Sequence, residues 1–362
     1  MCRDKKDLPV RAPRIRVEDV AARAGVSTTT ARNALRRPHL VSTTSLSLVR
    51  KSAEALGYLG WGHEGHHAAH PRRLALLVSD SGNPVHLDMT RDLQQRVFNA
   101  GHSLTIIHRT GVSTDPAYVS ALQNDGVEGI FVPSTTDPAY LARLRASGIA
   151  AVLVGPYTPG LQGHCVVGVS NHTSGQLVMK HFQEIGRRRI AFVGPITGHA
   201  GNRLAGAQDF MRGAGSDSIR LFLTLDSTVR SGEQAGKDIA YLHGGERPDG
   251  VFAANDVLAL GLQRGFLRHN IRMPEDIALV GYDDIGFAVA AAVPLTSVRQ
   301  PWDQIADRSV ELLIDELDHA ASHVHATIDV PTQLACRSSS HDLHPGPRLD
   351  LISYSPSASS NR

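Results

Sequence analysis

Arg203, Asn255 and Asp283 each stand just past a short apolar run of strand length, and Ser81 stands past a fourth. The runs are IAFVG (190–194), GVFAA (250–254), IALVGY (277–282) and LALLVS (74–79). In an open α/β sheet, ligands sit beyond the carboxyl ends of the strands, so these four side chains are expected to converge on one cleft. A guanidinium, an amide, a carboxylate and a hydroxyl there offer paired donors and acceptors for vicinal hydroxyls. That is how a sugar or a nucleobase is distinguished from water. Asp256 and Asp284, beside them, read as helix caps, and Asn83–Pro84 as a turn. Adjacent in a strand-to-helix turn, Asp283 and Asp284 would point apart and make a poor acid–base pair. The sequence has no glycine-rich phosphate loop and no serine nucleophile elbow. The expectation is a binding cleft, with no catalytic residues, no cofactor and no metal.

A second constellation lies near the N-terminus, in VEDVAARAGVSTTTARNALRR (17–37). Ala21 is small where a second helix must approach the first, Gly25 permits a tight turn, Val26 plugs the core and Ser27 caps the helix that follows. This is the pattern of a helix-turn-helix. With the second helix in a major groove, Thr28, Thr29, Thr30, Arg32, Asn33 and Arg36 are placed to meet base edges or phosphates.

The charge distribution agrees. Residues 1–60 carry 12 Lys and Arg against 5 Asp and Glu, a balance of +7, although the whole chain carries only +2. A basic head on a mildly acidic body suits double-stranded DNA as partner. No apolar run approaches the ~18 residues that span a bilayer. The charged N-terminus lacks the apolar core of a secretion signal, so the expected compartment is the cytoplasm. The three cysteines, Cys2, Cys165 and Cys336, are too widely spaced for a disulfide framework or a zinc motif.

The elements that must position these residues follow from periodicity. Residues 1–14 read as a flexible basic arm. Residues 15–58 hold three helical patterns, Val17–Ala24, Thr28–Arg36 and Ser45–Leu56, the third with Ser42 as N-cap and Gly57 as stop. Residues 59–73, with three glycines and four histidines, form a linker. From Leu74, the four runs above and LTIIH (104–108), GIFV (129–132) and AVLVG (151–155) alternate with amphipathic segments such as Thr90–Ala100, Gln176–Ile185, Asp256–His269 and Ile305–Ala320. That alternation predicts a parallel, doubly wound α/β body over 74–340. Lobe one is assigned 74–170 and 301–328, lobe two 171–298 and 331–340, and residues 341–362 a disordered tail.

DVAARAGVSTTTARNALRRPHLVS with a third helix ending EALGY resembles the head of the LacI/GalR family of transcriptional regulators. LVSDSGNP, GVEGIFVPS, GRRRIAFVG, PDGVFAANDVLALG, MPEDIALVGYDD and PLTSVRQP resemble its body in order and spacing. The resemblance implies an all-α three-helix head on a two-lobed, periplasmic-binding-protein-like α/β body. It further implies a homodimeric repressor whose grip on a near-palindromic operator is modulated by a small polar, sugar-like effector. Arg203, Asn255 and Asp283 match the family's effector-binding positions. A sugar-binding protein without DNA-dependent regulation is the alternative, but it would need a signal peptide and no helix-turn-helix.

The chain departs from the family at several positions. Arg32 then Asn33 replace the usual Ser/Thr then Arg, so operator preference should shift, since Arg pairs best with guanine and Asn with adenine. Leu46 replaces a frequent Arg that contacts phosphate. Gly155 replaces a frequent Asp, and Pro133 a possible polar contact, so lobe one is expected to be poor in hydroxyl-binding groups. In the linker, His63 and His67, and His66 and His70, are spaced i,i+4, which on a helix could share a metal ion. Gly62 and Gly65 oppose that helix by about 1 kcal/mol each, so a solvated linker is expected.

His67 stands about where the family places a leucine wedge in the minor groove. A wedge needs an apolar side chain and a helix to hold it. The natural protein should therefore bend its operator less than a His67→Leu variant does, and His67→Ala should leave affinity unchanged. A gel-shift bend measurement checks this; a strongly kinked operator with the natural sequence would overturn it.

Overall fold

A computed structural model describes residues 17–36, 41–56, 71–79, 83–109, 116–156, 163–215 and 218–341. The N-terminal arm, most of the histidine-rich linker, Ser81 and nearly all of the C-terminal tail lie outside these residues.

The head is three helices, α1 (Val17–Ala24), α2 (Thr28–Arg36) and α3 (Thr43–Leu56). Its core is made of small residues, Val17, Val20, Ala21, Ala31, Ala34, Val49 and Ala53. Small side chains let short helices approach closely. The turn between α1 and α2 needs a positive φ, and Gly25 supplies it at +66°. Ser27 Oγ then accepts the Thr30 amide at 3.0 Å and caps α2. Ser42 Oγ accepts the Ser45 amide at 3.2 Å and caps α3. Each such cap contributes about 0.5–2 kcal/mol. Val26 and Leu46 are half-buried against the core, so Leu46 packs where a phosphate-binding cation would have stayed exposed.

The body is built on two six-stranded sheets. The first holds β1 (Arg73–Ser79), β2 (Ser103–Arg109), β3 (Gly129–Pro133), β4 (Ala150–Val154), β5 (Cys165–Gly168) and β11 (Thr327–Asp329). They lie in the order β11-β5-β4-β3-β1-β2, every pair parallel. Three of the runs read from sequence become its inner strands β1, β3 and β4, apolar on both faces as parallel strands under helices must be, and LTIIH becomes the edge strand β2. One face is covered by α4 (Val85–Asn99) and α12 (Trp302–Asp318), packing Met89, Leu93, Val97, Ile305 and Leu313. The other face meets α5 (Pro116–Asn124) and α6 (Pro138–Ala146) through Val119, Leu122, Leu141 and Leu144.

The second sheet contains β6 (Ile190–Gly194), β7 (Arg220–Leu223), β8 (Gly250–Ala253), β9 (Ala278–Asp283), β10 (Thr296–Arg299) and β12 (Gln333–Ala335). Its order is β12-β10-β9-β8-β6-β7, and only the β10–β12 pair is antiparallel. Helices α7 (Asn171–Glu184), α8 (Gly198–Gly213), α9 (Val229–Ala240) and α10 (Asp256–Arg268) pack with it around Phe182, Phe192, Phe252 and Phe266. The single turn α11 (Gly286–Val289) follows β9. The chain passes between sheets three times: from β5 to α7, from β10 to α12, and from β11 to β12.

Two helices begin earlier than periodicity suggests. Helix α4 starts at Val85, five residues before Thr90, and α7 at Asn171, five before Gln176. In α7 the first turn, Asn171–Ser174, is polar, so no apolar stripe marks it.

Helices α7 and α8 carry site residues and touch backbone to backbone. A Cβ at Gly175 would collide with the Arg203 carbonyl, and one at Gly206 with the His172 carbonyl. Gly206→Ala should therefore destabilise the protein by about 1–3 kcal/mol, the usual cost of overpacking. Urea unfolding of the full chain reads this; an unchanged midpoint would refute the close contact.

Candidate functional site

In the head, α2 presents an outer face. Thr29 and Arg32 are exposed, and Thr28, Thr30 and Asn33 half-exposed. Thr30 Oγ1 lies 2.8 Å from Ser27 Oγ, so its hydroxyl is engaged in the cap. Arg32 sits 3.8 Å from Glu18, a loose surface pair that leaves the guanidinium available. Arg36 ends the helix, and its side chain lies outside the described residues.

In the body, the strand ends bring Arg203, Asn255 and Asp283 together. Arg203 is buried in α8, its Nε donating to Asn171 Oδ1 at 2.8 Å and its Nη1 to the Ala254 carbonyl. Its guanidinium lies 3.4 Å over the Tyr282 ring. A cation held at this many points is oriented before any ligand arrives. Asn255, next to that carbonyl, caps α10 by accepting the Leu258 amide at 3.0 Å. With Oδ1 committed, its Nδ2 is the group that can meet a ligand.

Asp283 ends β9 with φ +106°, a conformation that L residues rarely adopt and that tends to mark functional sites. Asn83, at the start of α4, donates to its Oδ2 at 2.7 Å, and Gln300, just past β10, to its Oδ1 at 2.7 Å. The Asn83 bond joins the two halves of the body. Asn83 also accepts the Val85 amide at 3.1 Å, so the Asn83–Pro84 turn and the site contact coexist in one side chain. Burial raises the Asp283 pKa, with Arg203 and the two amide donors pulling it back.

The expectation that Asp256 and Asp284 cap helices is corrected. Asn255 takes the cap of α10, and Asp256 is fully buried. Its carboxylate accepts the Ile285 amide at 2.9 Å and the Ser297 hydroxyl at 2.6 Å, tying the start of α10 to β10 and to the turn after β9. Asp284 pairs with Arg299 at 2.6 Å and Arg337 at 2.7 Å. Asp283 and Asp284 thus point apart, Asp283 toward the cleft and Asp284 toward a basic pair.

Lobe one, expected to be poor in hydroxyl-binding groups, offers a polar group at the end of β3. Ser134, just past β3, is buried with its Oγ unpartnered. Gly155, beside it, has φ +121°, where an aspartate would be strained. The vacant side-chain position faces the Ser134 hydroxyl, 3.4 Å from where a Cβ would stand. His86, in the first turn of α4, senses Asp283 electrostatically, yet burial lowers its pKa. His199, near Arg203, is lowered to about 4 by burial and by that cation. Both histidines are therefore neutral hydrogen-bonding groups at neutral pH.

Sequence reasoning missed Ser134, Asn171, Gln300 and Trp302. The Asn171 Nδ2, Gln300 Oε1 and Trp302 Nε1 atoms are buried and unpartnered, and buried polar groups are seldom left so without a ligand or water to satisfy them. Each follows a strand, but β5 and β10 are not among the apolar runs read from sequence. A cavity of about 510 Å³ opens beside Asp283, lined among others by Asp88, Arg91, Arg299, Gln300 and Trp302. Arg203 and Asn255 do not line it; Asp283 and Gln300 belong to both.

Residues 179–340 match the periplasmic binding protein-like domain family. The chain is 26% identical over 343 residues to the HTH-type transcriptional repressor PurR of Photobacterium profundum, covering 91% of this chain and 99% of that protein. It is 25% identical over 307 residues to the ribose operon repressor of Escherichia coli, covering 83% and 92%. Among solved structures, the complex of the transcriptional regulator CelR with cellobiose superposes with a TM-score of 0.64 at 25% identity, covering 90% of this chain and all of that one. Among the described residues, no helix is long and apolar enough to cross a membrane.

Burial, reinforced by the nearby Asp283, raises the Asp256 pKa well above the ordinary carboxylate value. Above the unfolded pKa of about 3.9 the unfolded chain ionises this group and the native state resists. Its destabilising effect is absent below that pH and grows as pH rises toward the raised native pKa. Asp256→Asn should remove this part of the pH dependence. Urea unfolding of both proteins from acid to neutral pH measures it; parallel curves would refute the assignment.

Proposed function

We propose that the chain is a member of the LacI/GalR family of transcriptional regulators, a homodimeric, cytoplasmic repressor that is not an enzyme. In this reading Thr28, Thr29, Thr30, Arg32, Asn33 and Arg36 meet operator DNA. Arg203, Asn255 and Asp283, with Ser81, bind a small polar effector such as a sugar. The observation that carries the effector site is the Asp283 carboxylate. It is buried, held at a positive φ and hydrogen-bonded by Asn83 from across the body. Arg203 acts on it electrostatically, and Asn255 and polar atoms without partners stand at neighbouring strand ends. Vicinal hydroxyls satisfy such a set: one pair of hydroxyl protons goes to the carboxylate, while the guanidinium and amides give to hydroxyl oxygens.

The same bond suggests how binding reaches the DNA. A ligand that takes Asn83's place on Asp283 removes a tie between the two sheets and substitutes its own. Three chain crossings act as the hinge, and a change of lobe angle alters the spacing of two paired heads. Asp283 and Asp284 point apart, with Asp284 held by Arg299 and Arg337, and we assign the site to binding.

The test begins with selection of operator duplexes from a random pool by the full-length protein. A near-palindrome should be enriched, and log affinity should fall with log salt at about −0.9 per phosphate neutralised. A panel of pentoses, hexoses, disaccharides and purines then identifies the effector by its change in operator affinity. Asp283→Ala should bind operator as before and lose about 2–5 kcal/mol of effector affinity, the cost of stranding buried partners. A flat salt response would sink the DNA-binding reading, and an unaltered effector response in Asp283→Ala would sink the site.

A further inference from the structure

Away from the cleft, at the opposite end of β5, four unlike ligand groups meet. Cys165 is the first residue of β5 and is fully buried. Glu316 lies in the last turn of α12, and His323 and His325 lie in the loop from α12 to β11. One ligand atom of each falls within 4.8 Å of all the others. Cys165 Sγ is 3.2 Å from His323 Nε2 and 3.8 Å from His325 Nδ1. Glu316 Oε2 is buried without a hydrogen-bond partner.

We propose that Cys165, Glu316, His323 and His325 form a binding site for a divalent transition metal of the zinc class. Zinc takes sulfur at about 2.3 Å and nitrogen or carboxylate oxygen at about 2.0–2.2 Å, four-coordinate and tetrahedral. Donor atoms around such a centre are separated by about 3–4 Å, which is the spacing of the sulfur and the two imidazoles here. A thiolate and a carboxylate neutralise a dication, and the mixed sulfur–nitrogen set favours zinc over magnesium or calcium.

The surroundings fit a metal site. His323 Nδ1 lies 2.7 Å from Asp315 Oδ2, which fixes the proton on Nδ1 and turns the lone pair of Nε2 toward the sulfur. A carboxylate behind a ligating histidine usually holds its ring in place and raises its basicity toward zinc. The alternative of a Cys–His–Asp nucleophile fits poorly, since the thiol is inaccessible. With four protein ligands the site is closed to substrate, so its role is to fasten. It would clamp the loop 319–326 to β5, next to β11 and the crossing into the second sheet.

The test uses the full-length protein, reduced, stripped with chelator and desalted. Titration with Co(II) should give one ion per chain, the visible bands of tetrahedral Co(II) and a sulfur-to-metal charge-transfer band, all abolished by excess Zn(II). His325→Ala, at an exposed position, should fold and lose at least about 100-fold in affinity as a ligand. Asp315→Asn should lose about 10–100-fold, as changes to the partner of a ligating histidine do. Cys165→Ser should lose the charge-transfer band and Cys336→Ser should keep it. Binding without a thiolate band, or unchanged in His325→Ala, would overturn the proposal and place the ion on the linker histidines. No binding to the wild-type protein would overturn it as well.

Discussion

A buried carboxylate at the end of β9 is the group on which the organisation of the body turns. Asp283 could not remain there alone, because an unpaired charge is costly to bury. Its compensation comes from three places: Arg203 on α8, Gln300 past β10, and Asn83 at the head of α4. Satisfying one carboxylate therefore draws together elements of both sheets. The bond to Asn83 spans a boundary that the chain itself crosses three times. A group that must be compensated, yet can be compensated by either protein or ligand, is suited to a switch.

The neighbouring acid plays the opposite part. Asp256 is sealed in, holding the Ile285 amide and the Ser297 hydroxyl, and a Cβ at Gly281 would collide with its carboxylate. It sets the turn from which Asp283 and Asp284 diverge. Arg299 and Arg337 then anchor Asp284. Of three acids close in space, one shapes the backbone, one anchors the edge of the sheet, and one is left facing the cleft. Arg203 reaches that acid because α8 rides directly on the backbone of α7.

Much of this was legible beforehand. Six of the seven apolar runs mark inner strands, because a parallel strand covered on both faces has few polar positions to obscure it. The head was legible for a different reason: Gly25, Ser27 and Ser42 have local tasks, and local tasks leave local marks. Arg203, Asn255 and Asp283 could be singled out because a strand end is visible in sequence. The edge strands β7, β11 and β12 were not, since each is three or four residues long and partly exposed. Nor were Ser134 and Gln300, whose importance rests on what surrounds them.

What the sequence by itself determined was the set of periodic elements, their order, the caps and turns, and the polar groups at strand ends. These depend on the φ/ψ preferences and hydrophobic patterns of neighbouring residues. Tertiary structure alone decided partnerships. It chose Asn255 over Asp256 as the cap, gave Asp283 to Asn83 across 200 residues, and set Cys165 against His323 across 158. No spacing rule could have joined that cysteine to those histidines. Their proximity comes from β11 lying beside β5 in the sheet, and strand order is settled by the packing of the whole lobe.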